Sequence, residues 1–77
     1  FECLQIAFDV LKEGKTYPVV MNAANEAAID SFLSGKIKFT DIPKHIRKCL
    51  DAHNAITDFT LEDIFEIDRK TREILVT

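Results

Sequence analysis

Strong backbone punctuation is scarce in this chain: Gly14, Pro18, Gly35 and Pro43 are all the glycine and proline that its 77 residues contain. A turn-rich all-β fold needs many more such residues. Between these marks, apolar residues recur at helical spacing. Period and boundary signals place four helices, at about 1–13, 18–34, 41–53 and 61–76. Gly14 reads as the left-handed stop of the first. Pro18 suits the first turn of the second, where a missing N–H costs nothing, and Gly35 ends it. Thr40 reads as the N-cap of the third, with Asp41 favourable against the helix dipole and Pro43 still inside the tolerated first turn. Thr60 reads as the N-cap of the fourth.

The faces of these helices predict an all-α fold, a small four-helix bundle-like domain. In the first helix Glu2, Gln5, Asp9, Lys12 and Glu13 gather on a narrow polar face. The rest is apolar, an arc wide enough to meet more than one neighbour. In the second, Met21, Ala24, Ala28 and Phe32 form a stripe, and the alanines at 23, 24, 27 and 28 permit close approach of another helix. Ile42, Ile46, Cys49 and Leu50 make the buried stripe of the third. The apolar arc of the fourth holds Leu61, Ile64, Phe65, Ile67, Ile74, Leu75 and Val76. A domain of this size buries only about 60% of the surface its unfolded chain exposes, so modest stability is expected.

Several function classes find no support. A net charge of −3 argues against nucleic acid, whose binders carry basic patches. No apolar run approaches the ~20 residues of a membrane span. Cys3 and Cys49, each among apolar neighbours, read as buried reduced thiols of an intracellular protein rather than a disulfide framework. His45, Cys49 and His53 fall on one helix face and bear metal-ligating atoms. Spread over two turns, they diverge by about 12 Å along the axis, too far to meet one ion. Cys49 reads as core instead, and His53 as an imidazolium at a helix C-terminus. Ser31 and Ser34 have no histidine at a suggestive spacing, and no glycine-rich loop exists to cradle phosphate. No catalytic, metal or cofactor residue is therefore assigned.

Two polar groups stand out. Asn22, Asn25 and Glu26 interrupt an alanine-rich helix, where asparagine is a poor interior residue. The two amides either help satisfy the first N–H groups of their own helix or contact a neighbouring domain or the loop leading into this helix. Asp68 and Arg72, an i, i+4 pair within the apolar arc of the fourth helix, read either as fixing packing against another helix or domain or as a surface pair at the arc's edge. Phe1 lies inside a helical pattern and "REILVT" ends without a cap, so the chain is expected to be a fragment.

The stretch "YPVVMNAANEAAIDSFLSGKIKFTDI" (17–42) resembles the C-terminal domain of 1-deoxy-D-xylulose 5-phosphate (DXP) reductoisomerase. That family has a segment like A-V-L-N-A-A-N-E, an apolar helix, a short basic linker and F-T-D-I. Val20, Asn22, Ala23, Ala24, Asn25 and Glu26 match, with Met21 for the usual leucine, and Phe39, Thr40, Asp41 and Ile42 match as well. "LEDIFEIDRKTRE" (61–73) looks like the family's last helix. The resemblance implies a fragment of a larger multidomain enzyme of non-mevalonate isoprenoid biosynthesis. That enzyme converts its sugar phosphate to 2-C-methyl-D-erythritol 4-phosphate with NADPH and Mg²⁺ or Mn²⁺, as a homodimer, in a bacterial cytoplasm or plastid stroma. The family's cofactor and metal sites lie in upstream NADPH-binding and catalytic domains, which would be the partners of this one. Asn22, Asn25, Glu26, Asp68 and Arg72 are then structural, interdomain contacts. The alternative is a stand-alone helical module that binds a partner protein.

Overall fold

The computed structural model describes residues 1–76 and contains four helices: α1 (Glu2–Glu13), α2 (Tyr17–Leu33), α3 (Asp41–Ala52) and α4 (Leu61–Arg72). No strand occurs among the described residues. Helix α2 is central; it packs chiefly against α3 and α4, and α1 lies across α2 and α3. Ala23, Ala24 and Ala28 are fully buried where the helices meet, since a methyl group lets two backbones approach closely. Ile6 and Val10 of α1, Val20 of α2, and Ile42, Ile46 and Cys49 of α3 complete the core.

Local chemistry sets the ends. Gly14 caps α1 at φ 67, and its N–H donates to the Val10 carbonyl. At the end of α2, Gly35 (φ 76) donates to the Phe32 carbonyl and Lys36 to that of Ser31, the paired bonds of a Schellman motif. Thr60 and Asp63 form a reciprocal capping box at the start of α4. Thr40, by contrast, has a helical backbone and makes no side-chain cap. Asp41 takes over, its carboxylate accepting the Lys38 N–H at 2.9 Å.

Three differences from the sequence reading have physical causes. Helix α4 stops at Arg72, not near 76. Ile74 turns back to pack against the core, and Lys48 Nζ donates to the Leu75 carbonyl at 2.9 Å, which draws the tail toward α3. β-branched Ile74 and Val76 favour leaving the helix. Cys3 is exposed, because α1 turns only the Ile6–Val10 side inward. The apolar arc of α4 is also only partly used: Leu61 and Phe65 are each 65% exposed.

The domain measures 38 × 24 × 16 Å. A helix with its side chains is about 10–12 Å across, so the thin dimension holds scarcely two layers. The outer helices thus keep uncovered faces, and α1 leaves Phe1, Leu4, Phe8 and Leu11 in solvent.

Replacing Ile46, fully buried at the α2–α3 contact, with alanine is expected to cost about 2–5 kcal/mol by chemical denaturation. Phe65→Ala on the open face of α4 should shift the same curve by less than about 0.5 kcal/mol. Comparable losses for the two would contradict this division of core and surface.

Candidate functional site

The seam between α1 and α2 gathers the polar residues that the helix propensities left unexplained. Two concavities flank it. One, of about 550 Å³, lies between Phe1 and Leu4 of α1, Asn25 and Ile29 of α2, and Phe39 and Pro43 at the start of α3. The other, of about 300 Å³, lies between Ala7 and Leu11 of α1 and Pro18, Met21, Asn22 and Asn25 of α2. Asn25 borders both concavities, which adjoin at its side chain to make a trough, and Asn22 borders the smaller one. Asn22 is exposed and Asn25 partly buried. Neither takes part in a side-chain hydrogen bond among the described residues. They lie beyond the first turn of α2 and do not cap it.

Glu26 joins the other two singled-out residues. Arg72 Nη2 lies 2.9 Å from Glu26 Oε1, and Arg72 Nε lies 2.7 Å from Asp68 Oδ1. Hydrogen bonding to Asp68 first, and to Glu26 next, raises the guanidinium pKa above its already high ordinary value. This triad ties α4 to α2 across 46 positions of sequence. It is open to solvent, with Arg72 38% and Glu26 53% exposed, so screening holds its contribution to about 1 kcal/mol or less. Five residues thus divide into two sets: a charged tie on the α4 side of α2 and unmatched amides on the α1 side.

Thr16 is a structural residue that its position in a short linker does not announce. It is fully buried. Its Oγ1 accepts the Ile56 N–H at 3.1 Å and lies 2.7 Å from His53 Nε2. The hydroxyl proton needs an acceptor, and Nε2 is placed to be one, which selects a neutral imidazole protonated at Nδ1. Tyr17 closes over the ring edge-on at 5.6 Å. Burial lowers the His53 pKa, so His53 does not act as an imidazolium on the α3 dipole. Burial, reinforced by the charge of Lys48, lowers the His45 pKa as well. His45 Nε2 sits 3.4 Å from Cys49 Sγ, whose thiol burial pushes upward. The two histidines therefore face different partners, and no group of three or more metal-ligating side chains converges among the described residues. No described helix is long and apolar enough to cross a membrane.

The sequence pattern of the DXP reductoisomerase C-terminal domain matches residues 1–74. The 1-deoxy-D-xylulose 5-phosphate reductoisomerase of Prosthecochloris aestuarii is 49% identical over 73 residues, covering 95% of this chain and 19% of that protein. The enzyme of the same name from Chlorobium phaeovibrioides is 48% identical over the whole chain and 20% of its own length. That of Bacillus pumilus is 44% identical over 75 residues, 97% of this chain and 20% of its own. The chain thus spans about a fifth of the length of the curated relatives it matches. No solved structure matches it.

Buried His45 and partly buried His53 set a pH dependence. Their folded pKa values lie below the ordinary 6.5. Below that pH the unfolded chain binds protons that the folded chain refuses, so stability is full above about pH 6.5 and falls as pH drops toward the folded values. Thermal melts should show this loss, and His45→Leu with His53→Gln should flatten it. Thr16→Val, which strands the Ile56 N–H, is expected to cost about 1–3 kcal/mol at neutral pH.

Proposed function

We propose that this chain, which belongs to the DXP reductoisomerase C-terminal domain family, is a supporting, non-catalytic part of an NADPH-dependent reductoisomerase. The whole enzyme would convert 1-deoxy-D-xylulose 5-phosphate to 2-C-methyl-D-erythritol 4-phosphate in isoprenoid biosynthesis. Family resemblance supports NADPH and Mg²⁺ or Mn²⁺ as its cofactors, a homodimer as its assembly, and a bacterial cytoplasm or plastid stroma as its location. The upstream catalytic and NADPH-binding domains supply those sites and are the partners of this domain.

The observation that carries the reading is the uncovered apolar face of α1. Phe1, Leu4, Phe8 and Leu11 are all more than half exposed on one side of that helix. A monomer seldom leaves such a face to water, and interaction surfaces account for the usual exceptions. A chain that is a fifth of its relatives' length has a ready source of cover. Asn22 and Asn25 sit at the foot of this face and serve as contacts to the rest of the polypeptide. Glu26, Asp68 and Arg72 hold α4 in place on the other side of α2 and offer a charged patch there for interdomain contact.

Two measurements test this. The full-length protein should turn over 1-deoxy-D-xylulose 5-phosphate with NADPH and Mn²⁺; absence of turnover would count against the family activity. The 77-residue chain titrated with NADPH and Mn²⁺ should show no saturable amide shifts. Specific saturable shifts would overturn its non-catalytic assignment.

A further inference from the structure

We propose that the trough along the α1–α2 seam holds an extended segment of the same polypeptide from outside these 77 residues, docked backbone-on to Asn22 and Asn25. The proposal rests on reading the chain as the C-terminal part of a longer enzyme, and it names what that enzyme places here.

The walls of the trough are mostly apolar, although Glu2 and Thr40 also border the larger concavity. Leu4 and Leu11 are 57% and 75% exposed on one side, and Ile29 and Phe39 are 38% and 67% exposed on the other. On the α2 side Asn22 and Asn25 set polar amides at two points one helical turn apart. An asparagine amide offers N–H donors and a carbonyl acceptor, the complement of a peptide group. Peptide groups inside a helix are already bonded to one another and are not free to answer it. An extended segment is different. It presents its free peptide groups along one edge about every 6.6–6.8 Å, while residues three apart on a helix lie about 5–6 Å apart. Two successive peptide groups of such a segment can therefore meet Asn22 and Asn25, with its side chains falling between Leu4, Leu11 and Phe39.

The length of the relatives identifies the source. About four-fifths of each lies outside the part this chain matches, covalently joined and at high effective concentration. A segment of that polypeptide therefore needs only weak intrinsic affinity to stay in the trough.

Cys3 reports on the trough. It is exposed in the 77-residue chain and borders the larger concavity, whereas Cys49 is buried in the core. The experiment is maleimide labelling of the full-length protein, read cysteine by cysteine by peptide mass mapping, with the urea-unfolded protein as reference. The segment predicts that Cys3 is protected in the native full-length protein. It also predicts that Asn22→Ala with Asn25→Ala raises the Cys3 rate roughly tenfold, the scale of losing two hydrogen bonds. Cys49 should stay slow throughout as the check on folding. Asn25→Asp, which keeps the shape and removes the N–H donors, should act in the same direction should the double variant fold poorly.

Native Cys3 reacting at the unfolded rate would overturn the proposal. So would protection that disappears on dilution, since a second copy would then be the occupant. Protection indifferent to all the asparagine changes would overturn the backbone docking. Turnover assayed on the same sample separates these results from failure of the enzymatic reading: an inactive protein with a protected, asparagine-dependent Cys3 retains the trough and loses the activity.

Discussion

Close helix approach at the alanine surface of α2 is the constraint on which the rest of this domain depends. Ala23, Ala24 and Ala28 have no exposed surface at all. Larger side chains there would push α3 and α4 outward and open voids that a domain this thin has no spare atoms to fill. Because methyl groups occupy the centre, the larger apolar side chains come from the flanks, Ile6 from α1 and Ile46 from α3. The same economy of space sends the phenylalanines outward. Of six in the chain, none is buried.

What the small core does not hold, specific polar contacts do. Helix α4 buries fully only Thr71, whose hydroxyl donates back to the Ile67 carbonyl. Its place is set by the partly buried Ile67 and Ile74, by the Arg72 tie to Glu26, and by the Thr16 hydroxyl that anchors the loop before it. Thr16 joins the α1–α2 turn to the α3–α4 loop through one oxygen. That contact is buried and matched, while the Arg72 tie is wet; energetically the former outweighs the latter. The uncovered seam on the far side of α2 then has a simple origin. A two-layer domain with an alanine centre cannot cover both sides of α1.

Much of this was open to reading from the residues. Gly14, Gly35, Pro18 and Thr60 mark helix ends through local chemistry, so the four helices could be placed to within a residue or two at most ends. The alanine stripe announced close packing. The asparagines stood out because they contradict helix propensity. The apolar arcs of α1 and α4 were less informative: periodicity shows that an arc is apolar, not how much of it another helix covers. Cys3 illustrates the point, for it sits among apolar residues yet on the uncovered side. Thr16 carried no signal, because a threonine before a helix looks like a cap whichever way its hydroxyl turns.

By itself, then, the sequence determined how many helices form, roughly where they end, which stretches are apolar and which family the chain resembles. These depend on interactions within a turn or two, and the neighbouring residues specify them. Tertiary structure alone decided which faces are buried, that His53 is a neutral partner of Thr16, that Arg72 reaches Glu26, and that Asn22 and Asn25 border one concavity without a side-chain hydrogen bond among the described residues. Each joins residues from different helices, or concerns how far one helix covers another. No pattern along one helix encodes that; it follows from how closely the alanines of α2 let its neighbours approach.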